Sequence, residues 1–224
     1  MTENILIQGD SLPLPREGVK YEETWPAKIR EYFSPVHVIS LARSEKTTND
    51  LEPSNSIHSK RELEYYSPST LIVQLGIVDC APRYLSKKEK QTIQLLPVGK
   101  LSSGIIVGVK HVRSRSSKRC YVRLSRFKNN LYNYLSRASD LGVKEVVLIK
   151  ILPPGQKYLE KNSAIEQPVA KYNEAIEEVA ERFPNSRSIQ IIPTTSKADV
   201  DEYTLSDGYH LNSKGHSEAF NRLL

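Results

Sequence analysis

Three side chains with the chemistry of acyl transfer stand at opposite ends of this chain. Gly9-Asp10-Ser11 lies near the amino terminus and Asp207-Gly208-Tyr209-His210 near the carboxyl terminus. A serine hydroxyl becomes an effective nucleophile when a histidine takes its proton and a carboxylate orients that histidine. The three-residue spacing of Asp207 and His210 around a glycine lets the carboxylate reach Nδ1 while Nε2 points away toward a serine. One ring nitrogen is held and the other is free to act.

These residues need a frame that brings both ends of the chain together. Short, β-branched, apolar runs at Asn4–Gln8, Val36–Ser40, Thr70–Leu75, Lys144–Ile151 and Ser188–Ile192 predict strands buried on both faces of a parallel sheet. Amphipathic stretches at Thr24–Phe33, Leu124–Ala138, Ser163–Phe183 and Asn212–Leu224 predict the helices between and after them. Alternating strands and helices predict an α/β fold, a flavodoxin-like three-layer sandwich around a central five-stranded parallel sheet. Ligands bind such sheets outside the carboxyl ends of the strands, which is where Ser11 and the Asp207–His210 turn would converge.

A chain of 224 residues fits one domain, expected over residues 1–224, with a lid or hairpin insertion at about 87–123. The composition, 38% hydrophobic and 26% charged, excludes a disordered or fibrous chain. No run approaches the roughly 18 apolar residues of a membrane helix, so no membrane insertion is expected. The opening MTENILIQGDS has neither a basic stretch nor a long apolar run, which predicts a cytoplasmic protein. Cys80 and Cys120 lack the spacing and companion histidines of a zinc site, so both read as free thiols and no metal is expected. His37, His58 and His111 have no recognisable partner, and His216 reads as a packing or surface residue of the last helix.

Together, Gly9-Asp10-Ser11-Leu12 and Asp207-Gly208-Tyr209-His210 resemble the first and last blocks of the SGNH (GDSL-like) hydrolases, in order and spacing over nearly the whole chain. The pairing of GDSLPLPR with a third block reading GIVDCAPR resembles a divergent bacterial subgroup associated with surface-polysaccharide clusters. The resemblance implies an esterase or deacylase acting on an O-acyl ester of a small molecule, sugar or glycan precursor, with no metal or organic cofactor. Ser11 would attack, His210 would move the proton and Asp207 would orient His210. An O-acyltransferase using the same triad, and a non-catalytic module binding a glycan or anion on the same fold, remain the alternatives.

The chain departs from the family in the blocks that supply the oxyanion hole. Gly76-Ile77-Val78-Asp79 puts Val78 where the family has an asparagine, and Asp79 matches the final aspartate of that block. An ionised carboxylate only accepts hydrogen bonds, so Asp79 cannot replace the missing donor. Ser44-Glu45-Lys46-Thr47-Thr48 resembles the second block, Ser-Gly-Asp-Thr-Thr, with Glu45 at the glycine position. The backbone N–H groups of Ser11 and Glu45 are then the expected oxyanion donors, assisted by Arg43 or Arg83. Arg43, Arg83 and Asp79 are also the expected substrate-binding residues, Arg83 because its guanidinium can hold an anion bidentately.

The formal charge of +6 is unevenly spread, with no acidic residue between Lys100 and Lys128. Basic residues with Tyr121 and Phe127 among them over 110–128 first suggest the solvated face of a helix, then an anionic ligand such as an acidic glycan. Nucleic acid ranks last.

Overall fold

The protein is described by a computed structural model that covers residues 3–53, 61–83, 119–193 and 196–224. Five strands form one sheet: β1 (Asn4–Gly9), β2 (His37–Ser40), β3 (Thr70–Gln74), β4 (Glu145–Ile149) and β5 (Ser186–Ile189). All pairings are parallel and the order is β2-β1-β3-β4-β5. Strand order reverses between β1 and β3, the switch point at which such sheets open a crevice.

Alternation along the strands divides the core in two. Leu6, Leu71, Val73, Val146 and Leu148 face one side, packed with α4 (Leu124–Asp140) and α6 (Glu166–Ala180). Ile5, Ile7, Ile72, Val147 and Ile149 face the other, with Trp25 and Ile29 of α1 (Trp25–Tyr32) and Ala219 and Leu223 of α8 (Ser213–Leu223). The helices meet the sheet through stripes at three- and four-residue spacing, such as Phe127, Leu131, Tyr134, Leu135 and Ala138 in α4. Short helices α2 (Glu62–Tyr66), α3 (Ile77–Cys80), α5 (Gln156–Lys161) and α7 (Lys197–Glu202) complete the described secondary structure, apart from brief 3-10 turns.

The fifth strand differs from the sequence expectation of Ser188–Ile192. Pairing with β4 stops at Ile189, and Ile191 and Ile192 are buried in the loop beyond it. Apolar content there marks burial, not sheet pairing. Most of the expected lid at 87–123, with Lys110–Lys118 of the basic stretch, His58 and His111, lies outside the described residues. No helix among the described residues is long and apolar enough to cross a membrane.

Polar side chains tie the inner strands to both helical layers. Gln74 accepts the Trp25 indole N–H at 3.1 Å on one face. Gln8 donates to the Tyr134 hydroxyl at 2.9 Å on the other and accepts from the Lys46 ammonium. Lys46 also donates to the Leu41 carbonyl at 3.0 Å, and burial pulls its pKa down to about 8. His216 is buried in α8, where Nδ1 accepts the backbone N–H of Trp25 at 3.3 Å, so this histidine packs the helical layer.

Candidate active site

Ser11 leaves the end of β1 on a turn held by its neighbours. The Asp10 carboxylate accepts the Leu12 backbone N–H at 2.9 Å, and Leu14 N–H reaches the Ser11 carbonyl at 3.3 Å. Pro13 folds back so closely over Gly9 that a Cβ there would lie 2.6 Å from the proline ring, so only glycine fits beneath the turn.

The second half of the site is the loop before α8. Gly208 takes φ +74, a conformation that suits glycine, and a Cβ there would also meet the Tyr158 backbone nitrogen at 2.6 Å. This turn aims Asp207 back at its own loop. Oδ1 accepts the backbone N–H groups of Tyr209 and His210 at 2.9 and 3.0 Å, while Oδ2 lies 2.6 Å from His210 Nδ1. Partial burial works to raise the Asp207 pKa, but the bonds from the His210 ring and the two N–H groups outweigh it and hold the carboxyl below its ordinary range. Tyr209 stacks on Tyr158 and sets its ring edge against His210, with centroids 5.3 and 5.0 Å apart.

The two halves meet at His210 Nε2, which lies 3.0 Å from Ser11 Oγ. Sequence reasoning missed a fourth participant. Arg16, five residues beyond the serine, places a guanidinium nitrogen 2.8 Å from the same Nε2. A guanidinium can only donate, so Nε2 carries the lone pair and Nδ1 carries the proton, donated to Asp207. This is the tautomer a general base needs.

Several of the other expected site residues are engaged by neighbouring side chains. Asp79 is fully buried, and its Oδ1 accepts both the Thr48 backbone N–H, at 2.9 Å, and its hydroxyl, at 2.6 Å. Thr48 in turn accepts from Asn130 of α4 at 3.2 Å, so the aspartate joins the second and third blocks to that helix. Burial raises the Asp79 pKa to about 6. Arg43 pairs with Asp50 at 2.6 Å, and Asp50 also holds the Thr47 N–H at 2.8 Å, which closes the second block on itself. Arg83 lies over the Tyr121 ring, 4.6 Å from its centroid. Glu45 takes φ +60, the left-handed conformation for which the resemblance supplies glycine. Val78 is buried in the core. Cys80 is buried and Cys120 partly so, both as free thiols; burial pushes the Cys80 pKa up, away from the thiolate form.

Beside the β3 block opens a groove of about 770 Å³, lined among others by Cys80, Pro82, Arg119, Arg123, Lys171 and Tyr172. Glu166, also on its wall, is paired with Lys197 at 2.7 Å. In α4 the basic residues point outward, Arg126 bonding Asn130 at 3.0 Å and Lys128 pairing with Glu178.

The family of GDSL-like lipases and acylhydrolases matches residues 9–223. The chain belongs to this family. Membership supports an ester-hydrolase function of the serine type. No curated protein is similar enough to match. Among solved structures the fold is similar to a lipase/acylhydrolase from Enterococcus faecalis, at 15% identity and a TM-score of 0.65 over 99% of this chain and 93% of that one. It is similar to a psychrotrophic esterase from Pseudoalteromonas sp., at 15% identity and 0.59, covering 99% and 94%. A catalytic mutant of an acetylxylan esterase from Geobacillus stearothermophilus matches at 14% and 0.62, covering 99% and 92%. The shared architecture is that of the SGNH esterases.

Proposed function

We propose that the protein is a serine esterase working as one domain through Ser11, His210 and Asp207. One observation carries the reading: the unbroken chain from Ser11 Oγ through the His210 ring to Asp207, with bonds of 3.0 and 2.6 Å. Ser11 Oγ attacks the ester carbonyl as His210 Nε2 takes its proton. His210 returns that proton to the leaving alcohol, and water then releases the acyl group by the same steps. The backbone N–H groups of Ser11 and Glu45 are the first candidates for the oxyanion; the left-handed turn at Glu45 keeps the backbone form that glycine would give.

For the substrate we favour an O-acylated sugar or glycan precursor. The acetylxylan esterase among the similar structures is consistent with this; the groove beside the third block, whose lining includes none of the triad residues, has room for a sugar outside the reacting centre. Arg119, Arg123 and Lys171 on its walls favour an acidic substituent, the anionic ligand expected for the basic stretch. Free cysteines suit a cytoplasmic setting.

The test is Ser11→Ala. p-Nitrophenyl acetate turnover and fluorophosphonate labelling should both vanish while the melting temperature stays within a few degrees. Unchanged turnover in this variant would refute the assignment. Faster acyl transfer to an added sugar than to water would make the enzyme a transferase with the same triad.

A further inference from the structure

We propose that Arg16 is a catalytic residue of this site, supplying through its guanidinium the side-chain donor for the oxyanion that Val78 cannot. The inference rests on the esterase reading above and adds a residue to it.

The first ground is position. Ser11 Oγ and an Arg16 guanidinium nitrogen both bond His210 Nε2, at 3.0 and 2.8 Å. They can be no further apart than those two bonds laid end to end, so the cation stands beside the nucleophile. The second is support. Arg16 is fixed in the backbone by reciprocal bonds with Val19, at 3.2 and 2.8 Å, across a turn in which Gly18 takes φ +84. A firm base thus carries a side chain that is itself exposed and able to turn. The third is engagement. Arg43 is paired with Asp50 and Arg83 lies over Tyr121, whereas Arg16 bonds His210 itself and its charge acts on the buried Asp10 carboxyl.

Proton accounting then shows when the guanidinium would move. At rest, the Nε2 lone pair receives two donors, the serine hydroxyl and the guanidinium. As the Ser11 Oγ–carbon bond forms, the carbonyl π pair moves onto oxygen and the hydroxyl proton passes to Nε2. Nε2 has then become a donor with positive charge behind it, and it can no longer accept from Arg16. The guanidinium loses its partner in the step that creates an oxyanion nearby, and turns to it. When the tetrahedral intermediate collapses, the electron pair returns to the carbonyl, the alcohol leaves with the proton from Nε2, and Arg16 regains its resting acceptor. Such a contact forms only as charge develops, which makes it raise turnover instead of ground-state binding.

The experiment compares wild type, Arg16→Ala and Arg16→Lys with p-nitrophenyl acetate and a fluorophosphonate probe, and follows thermal melting. The expected result is that Arg16→Ala lowers kcat by about 10²-fold with KM changed less than about threefold, as for loss of a single oxyanion donor. Fluorophosphonate labelling should slow in parallel, Arg16→Lys should fall between, and melting should stay unchanged because the side chain is exposed. An unchanged kcat would overturn the proposal. So would a rise in KM alone, which would make Arg16 a ground-state anchor for an anionic substrate, or a faster enzyme, which would make it a plug on the base. Wild-type protein that neither labels nor turns over would instead strike the esterase reading itself and take this inference down with it.

Discussion

Asp207 opens the last sequence block and Asp79 closes the third, and both accept two hydrogen bonds on one carboxylate oxygen. Their second oxygens differ. In Asp207 that oxygen meets the His210 ring, and the side chain is 45% exposed. In Asp79 it is buried and has no partner among the described residues. Hydrogen bonds therefore prevail over burial at Asp207 and lower its pKa, whereas burial prevails at Asp79 and lifts it to about 6. A motif aspartate acts on chemistry where its free oxygen finds a base, and on architecture where it finds none.

Asp207→Asn tests the chemical half most severely. The backbone N–H groups of Tyr209 and His210 require an oxygen, so they pin the new carbonyl at the Oδ1 position and put the amide NH₂ opposite His210 Nδ1. Nδ1 must then accept, the ring proton moves to Nε2, and Ser11 loses its base. kcat should fall by on the order of 10³–10⁴-fold with melting little changed. A loss under tenfold would show that the tautomer does not matter here.

Asp79→Ala should show the opposite profile. Removing the acceptor of both Thr48 bonds strands two buried donors, which costs about 2–3 kcal/mol in urea unfolding. Turnover below the melting transition should stay within about tenfold of wild type. A full loss of activity in well-folded protein would move Asp79 into the chemistry.

A further effect concerns pH, where Asp10 joins Asp79. Burial raises the Asp10 pKa to about 7, and its Oδ2 has no partner among the described residues. Both raised carboxyls hold protons more tightly folded than unfolded. Their contribution is complete below about pH 4 and is lost as pH rises, through about 6 for Asp79 and about 7 for Asp10. Unfolding free energy should thus decline across this range, by at most about 1.4 kcal/mol per pH unit for each group. Asp10→Asn should flatten the part above pH 6, measured by urea titration at pH 5, 6 and 7; identical slopes would show that Asp10 ionises at its ordinary pKa.

The sheet was legible because parallel strands buried on both faces are short apolar runs, and the long helices because their stripes span several turns. Helices α2, α5 and α7, of five or six residues, are too short for a period to show. The predicted strand ends and the three-residue spacing of Asp207 and His210 also pointed Ser11, Asp207 and His210 to one rim of the sheet. Arg16 gave no such sign: it follows two prolines in a segment without periodicity, and its closeness to His210 exists only after folding. Arg43 and Arg83 drew attention as charges near strand ends, but sequence does not show that Asp50 and Tyr121 would engage them. Lys46 was likewise hidden, since an ammonium is expected outside and this one is enclosed by Gln8 and Leu41.

The chain has one tryptophan, and its position gives the two faces of the sheet separate optical signatures. Trp25 is completely enclosed between α1, α8 and the sheet, with its indole bonded to Gln74, so its emission should be blue-shifted and should report the layer away from Tyr134 and α4. Fluorescence at the tryptophan wavelength follows the release of that layer, whereas far-ultraviolet ellipticity follows the helices of both. Coincident transitions would mean that the layers part together, and a gap between them would reveal which face of the sandwich yields first.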